Sequence, residues 1–200
     1  MSVGRWLMGC AAALALAGGA HAKGACPTAA DAGRPIALSF ADGYVEVHYS
    51  GDGQLWQIDV FDHGEQVYQF EVAHGTHLLR FTEYYEEGPD YGGQARYNYG
   101  MEIAGMPIPT PGGRWSVDVE VTDGTGVFAE AQTQAYGALT TTQIGSCTYD
   151  MIPVLIAYDD DEQYVEMIYY LPELRLGYLV DSHSETSPSG PIYPVGIEAR

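Results

Sequence analysis

Alternation of apolar and polar residues with a period of two recurs along this chain from residue 36 to residue 181. The clearest run spans residues 115–121, where Trp and Val alternate with Ser, Asp and Glu. This period places the apolar side chains of a β-strand on one face and its polar side chains on the other. Glycine-containing turns such as Asp123-Gly124-Thr125-Gly126 separate the runs. The pattern predicts an all-β domain of about ten or eleven short strands.

Consecutive strands joined by short turns favour pairing between neighbours in sequence. We therefore predict a single antiparallel meander that forms a barrel or half-barrel, with a β-sandwich as the alternative. Prolines and glycines in 86–113 interrupt the alternation and leave room for one short strand within residues 96–104. The predicted β domain covers residues 23–181, and residues 182–200, rich in Ser, Pro and Gly, are predicted to form an extended C-terminal tail.

The first 22 residues have the features of an export signal. Arg5 provides a positive start, an apolar stretch follows, and Ala20-His21-Ala22 is a small-x-small cleavage site. Residues 1–22 are therefore predicted to be a signal peptide that is cleaved before Lys23. The mature chain is then expected to be periplasmic or secreted.

This cleavage determines which cysteines the mature chain keeps. Removal of residues 1–22 discards Cys10 and leaves Cys26 and Cys147. An even pair of cysteines in an exported chain predicts a disulfide. Two alternatives are a lipoprotein signal in which Cys10 is acylated, and a nucleophilic thiol in the mature chain.

The charge excludes several classes of protein. The sequence has 27 Asp and Glu residues against 8 Lys and Arg, for a formal net charge of −19. Such a chain repels phosphate backbones, so no nucleic-acid partner is expected. After the signal, no apolar run reaches the roughly 18 residues that a spanning helix needs, so no transmembrane helix is expected in the mature chain.

Two histidines form the candidate metal site. His74-Gly75-Thr76-His77 places two imidazoles at one turn, and imidazole is a preferred ligand of zinc. His63 belongs to the preceding turn and should lie at the opposite end of the sheet. The hypothesis is a metal-dependent hydrolase that uses His74 and His77, and the alternative is a pair of solvent-exposed turn histidines. No motif for another cofactor or for a catalytic serine is present, so no cofactor is predicted and the chain is more in keeping with a non-enzyme.

Tyrosines concentrate around the long irregular stretch and alternate there with acids. Tyrosine combines a large apolar face with a polar tip and is common on recognition surfaces, and long loops often carry function. The charge favours cationic or neutral ligands. The alternative is a flap that covers one end of the barrel. The candidate ligand-binding residues are Tyr84, Tyr85, Glu86, Tyr91, Tyr97 and Tyr99.

The C-terminal half carries a further pattern. Gly145-Ser146-Cys147-Thr148-Tyr149-Asp150 is followed by Tyr169-Tyr170-Leu171-Pro172-Glu173-Leu174 and by Leu176-Gly177-Tyr178. Over residues 145–180 this resembles uncharacterised proteobacterial periplasmic proteins of the LolA/LolB-like half-barrel type. The resemblance implies a half-barrel with a concave apolar face of the kind that carries lipoproteins, and it implies no catalytic residue.

Together these observations predict an exported, non-enzymatic β domain. It is expected to bind a small or apolar ligand, or a protein partner of the cell envelope. The alternatives are the metal-dependent hydrolase and a small outer-membrane β-barrel, whose strands also alternate in this way.

Overall fold

The computed structural model describes residues 25–31, 33–51, 54–159, 163–184 and 190–200. The predicted signal peptide, residues 1–22, lies outside this part of the chain. Apart from two single-turn 3-10 helices, Ala29–Asp31 and Ile103–Gly105, the regular elements of the described residues are strands. They are β1 Ile36–Phe40, β2 Tyr44–Ser50, β3 Leu55–Asp62, β4 Glu65–Ala73, β5 His77–Tyr85, β6 Gly88–Pro89, β7 Ala95–Asn98, β8 Arg114–Asp123, β9 Gly126–Tyr136, β10 Thr140–Ile144, β11 Cys147–Tyr158, β12 Val165–Leu171, β13 Leu176–His183 and β14 Pro194–Ala199.

All of these strands belong to one antiparallel sheet. Its order is β13-β12-β11-β9-β8-β7-β5-β4-β3-β2-β1-β14, with β10 paired to β11 and β6 paired to β5. The strands at the two ends of this order, β13 and β14, are not paired with each other, so the sheet is not closed. The all-β antiparallel fold predicted from the alternation is confirmed. Most neighbours in the sheet are also neighbours in sequence, as a meander requires.

The sheet bends until its two halves touch. The pairing register shifts within β1, β3, β4 and β12, and such bulges increase the local bend and twist of a strand. The turn between β4 and β5 meets the start of β13, where a Cβ added to Gly75 would lie 2.8 Å from the Gly177 nitrogen. Near the two ends of the sheet, the Ile192 N–H donates a hydrogen bond to the Val180 carbonyl at 2.7 Å. The sheet therefore encloses an interior.

The largest group of packed core side chains lies where β1 meets β10, β11 and β13. Ile36 and Leu38 from β1 contact there with Ile144, Leu176 and other buried residues. The predicted disulfide is confirmed beside this cluster: Cys26 is bonded to Cys147, with a Cα–Cα distance of 5.6 Å. It ties the segment before β1 to the first residue of β11.

Residues 182–200, assigned to an extended tail from the sequence, contain the last strand. β14 pairs with β1, and Ile197 lies opposite Leu38. The short strand expected within residues 96–104 is β7, which ends at Asn98. Within the described ranges no helix has both the length and the apolar character needed to cross a membrane.

Candidate functional site

A cavity of about 150 Å³ lies inside the curved sheet. Strands β2, β3, β4, β5, β9, β11, β12 and β13 all contribute to its wall. Period-two alternation explains the wall locally, because it turns every second side chain of each strand toward the interior. In β3, for example, Trp56, Ile58 and Val60 are buried while the residues between them are partly exposed. The apolar side chains that line the cavity are Ile58, Phe70, Val72, Leu78, Ile156, Ile168 and Leu179.

A carboxyl group interrupts this apolar wall. Glu166 of β12 lies opposite Ile156 of β11 and lines the cavity. The Tyr158 hydroxyl donates a hydrogen bond to Oε2 of Glu166 at 2.8 Å, and the Tyr164 hydroxyl donates to Oε1 at 3.2 Å. Two tyrosines thus fix the orientation of one partly buried carboxyl group.

The surroundings of Glu166 act on its pKa in opposite directions. Burial raises the pKa of Glu166, because it removes water from the charged form, and the hydrogen bonds from Tyr158 and Tyr164 lower it. The negative charge of Glu130 raises it further. The net direction is upward. The hydrogen bonds from the protein therefore offset only part of the free-energy cost of burying the negative charge of the Glu166 carboxylate.

Tyr99 is the member of the tyrosine-rich stretch that reaches the cavity. Its ring is stacked on Trp115, with centroids 5.7 Å apart, and is only 4% exposed. Burial, chiefly, raises the pKa of Tyr99 above its usual value. Tyr99 lines the cavity together with Gln132 of β9.

The other predicted ligand-binding residues lie outside the cavity wall. Tyr85, Glu86 and Tyr91 are exposed around the connection from β5 to β7, and Tyr84 is partly buried at the end of β5. Tyr97 in β7 packs against the core cluster that contains Val119 and Val121. Burial raises the pKa of Tyr97 to about 12. The structure thus separates Tyr99 from the rest of the group, whose role in binding stays a prediction.

The turn histidines are buried, so their interpretation as solvent-exposed residues is wrong. His74 is 5% exposed and His77 is 0% exposed. Nε2 of His74 lies 2.9 Å from the Ile103 carbonyl oxygen, and Nε2 of His77 lies 2.7 Å from that of Pro107. A carbonyl oxygen only accepts, so each Nε2 carries the proton. Both rings hold the segment between β7 and β8.

His77 has a partner at its other nitrogen as well. The Gln134 amide Nε2 lies 3.1 Å from Nδ1 of His77 and donates to it. Burial lowers the pKa of His77 to about 4, so the ring is neutral near pH 7. In the described part of the chain, no group of three or more His, Cys, Asp or Glu residues is placed to hold a metal ion. Within the described residues, His74 and His77 therefore have no third His, Cys, Asp or Glu side chain that could complete a metal site.

A second depression adjoins the cavity. This groove, about 430 Å³ in volume, lies between β1, β2 and β13. Glu46 and Leu179 line both the cavity and the groove. Oε2 of Glu46 is 3.0 Å from Nε2 of the buried His48. These two shared side chains mark where the interior lies closest to the groove.

Glu166 and the tyrosines that donate to it, Tyr158 and Tyr164, were not among the site residues predicted from the sequence. The signal that could have found Glu166 is its phase: it alternates in step with Ile168 and Tyr170 of β12, which pack in the core cluster that contains Ile156. An acid in phase with the apolar face of a strand is unusual, because burial of a charge costs free energy unless it is paired. The position of Glu166 in the alternation of β12 does not show that the Tyr158 and Tyr164 hydroxyls would donate hydrogen bonds to it.

Comparison with known proteins gave no further assignment. A scan against protein-family models, a search of curated proteins and a search of solved structures each found no match. The resemblance of residues 145–180 to LolA/LolB-like half-barrels stays a prediction.

Proposed function

We propose that this chain is an exported, non-enzymatic protein that binds a small, largely apolar ligand inside its curved sheet. The observation that carries the proposal is the interior cavity of about 150 Å³ with its wall of Ile, Val, Leu and Phe side chains. Apolar cavities of about this size hold molecules such as benzene. Ligand sites in proteins are typically apolar pockets with a few polar groups, which is also the composition here.

Two features support export. Disulfides persist in oxidising compartments, and Cys26 and Cys147 form one. The amino-terminal sequence has the charge and cleavage pattern of a signal peptide. The proposed location is the periplasm or the exterior of the cell.

The composition of the wall supports binding without catalysis. The described residues that line the cavity include no histidine and no cysteine. A nucleophile activated by a histidine, or a thiolate, therefore has no place in this lining. A protein partner of the cell envelope stays the second expectation, with the exposed Tyr85 and Tyr91 as its candidate contacts.

The test is a titration of the protein with toluene, followed by ligand-observed NMR. We expect saturable binding to the wild type and at least about a tenfold weaker affinity for Ile156→Phe, since the larger ring fills the cavity. Leu155→Phe is the matched control, because Leu155 is the neighbouring residue in β11 and is 39% exposed. It should bind toluene as the wild type does.

A second cavity-filling variant guards against a folding defect. Val72→Phe enlarges a lining residue on β4, in the opposite half of the sheet order. Circular dichroism in the near ultraviolet establishes that each variant is folded. Absence of toluene binding to the wild type, or unchanged binding to both folded cavity variants, would refute an interior ligand site.

A further inference from the structure

The charges that face the cavity are all of one sign. Glu46 and Glu166 line it, and no Lys, Arg or His is present among the described lining residues. Glu130 adds a further negative charge that acts on Glu166. A carboxylate or phosphate on a ligand would meet only like charges here, which is unfavourable in a medium of low dielectric constant.

The lining also contains aromatic rings. Tyr99, Tyr158 and Tyr178 contribute to the wall, and the hydroxyl of Tyr158 is held by Glu166. The face of an aromatic ring attracts an ammonium group, and this attraction is stronger where water is excluded. Carboxylates combined with tyrosine rings are therefore suited to a cation.

Glu166 retains capacity to accept hydrogen bonds. Each of its oxygens receives one tyrosine hydroxyl, whereas an ionised carboxylate has about four lone-pair positions. The remaining positions can accept from an N–H donor. A donor that is also a cation would offset the cost of the partly buried negative charge.

Thr76 supplies an independent sign that a polar ligand group belongs in the cavity. It lies in the turn between β4 and β5, lines the cavity and is 3% exposed. Its hydroxyl oxygen is buried and has no hydrogen-bond partner within the described parts of the chain. Buried hydroxyl groups in proteins are nearly always paired, because an unmade hydrogen bond costs about 1–3 kcal/mol.

We infer that the ligand of this cavity is a small apolar amine or ammonium compound, whose positive group is bound by the Glu166 carboxylate beside the tyrosine rings. This inference rests on the proposed function, since it requires that the cavity bind a ligand at all. It adds the sign of the ligand's charge and the residue that recognises it.

The test uses four probes of similar shape: toluene, benzyl alcohol, benzylamine and benzoate. Benzylamine is expected to bind the wild type at least about tenfold more tightly than toluene and benzyl alcohol, as a charge-assisted hydrogen bond would provide. Benzoate is expected not to bind. Titrations near pH 7 are followed by ligand-observed NMR and by calorimetry.

Variants then identify the residue that causes the preference for benzylamine. Glu166→Gln is expected to lower the affinity for benzylamine to that for toluene and to leave toluene binding unchanged. Retained toluene binding also shows that this variant is folded. Glu120→Gln is the matched control, because Glu120 is an exposed acid of β8 outside the cavity wall. It removes the same charge and should leave the preference for benzylamine intact.

The outcomes separate the two proposals. Binding of toluene and benzylamine with equal affinity would overturn the cationic ligand and leave the interior site standing. Failure of every probe to bind would overturn both. If Glu166→Gln does not fold, the wild-type series decides alone, since a benzylamine affinity no higher than that of benzyl alcohol overturns the inference.

Discussion

His77 lies inside the sheet with both ring nitrogens in hydrogen bonds, Nε2 to the Pro107 carbonyl and Nδ1 to the Gln134 amide. Protonation would turn Nδ1 into a donor that faces another donor, and it would place a charge in a buried site. Burial accordingly lowers the pKa of His77 to about 4. The folded state is thus most stable when the His77 ring is neutral.

This makes stability depend on pH in a defined window. An unfolded histidine has a pKa of about 6.5, so the unfolded chain binds more protons than the folded one between about pH 6.5 and pH 4. The contribution of His77 is complete above that window and is lost as the pH falls through it. From the pKa of about 4, the loss is on the order of 3 kcal/mol.

Urea unfolding at about pH 7 and about pH 4 measures this loss. We expect His77→Gln to lose about 3 kcal/mol less than the wild type between the two values. His183→Gln is the control, because the His183 side chain at the end of β13 is 48% exposed, and it should follow the wild type. An equal pH dependence in all three proteins would contradict the assignment of this loss to His77.

At the scale of elements, the contact between the β4–β5 turn and β13 fixes one boundary of the cavity. A Cβ added to Gly177 would fall on the Gly75 carbonyl oxygen, and both glycines line the cavity. Only glycine lets the two backbones approach this closely. The contact joins strands that are far apart in the sheet order.

Gly177→Ala is therefore expected to lower the free energy of unfolding by about 1–3 kcal/mol, as overpacking of a tight contact does. Gly105→Ala provides the matched control, since nothing lies within 4 Å of an added Cβ there, and it should stay within about 0.5 kcal/mol of the wild type. Urea unfolding of both variants gives the comparison. Equal stability of Gly177→Ala and the wild type would show that the two backbones can separate at little cost.

The sequence predicts the strands of this sheet better than it predicts the site. Alternation identifies which residues of a strand share a face, and Ile58 and Ile156 follow it. It does not show that β14 returns to β1, because that pairing joins the two ends of the chain. Nor does it show that His74 is covered by Ile103, since burial of a turn depends on a segment about thirty residues away. The site forms between distant strands, and the period of one strand carries no information about such contacts.

At the scale of the whole molecule, the disulfide reinforces a sheet whose end strands are unpaired with each other. Cys26 lies before β1 and Cys147 begins β11, so the bond links the two halves of the curved sheet. The Tyr149 hydroxyl adds a hydrogen bond to the Pro27 carbonyl at 3.0 Å. The cluster around Ile36 and Leu38 packs beside both. The amino-terminal segment is thus fixed to the core by a covalent bond, a hydrogen bond and its neighbours' packing.

The cost of losing this bond can be stated from the length of chain that it closes. The two cysteines are 121 residues apart, and chain entropy gives about 4–5 kcal/mol as the upper limit for a loop of that length. We expect the double variant Cys26→Ser/Cys147→Ser to lose up to that amount in urea unfolding, because its unfolded state regains the freedom of the open loop. The wild type in a reductant should lose a similar amount, and the double variant should not respond to the reductant. Unchanged stability of the reduced wild type would mean that packing around β1 and β11 already restricts the chain as much as the bond does.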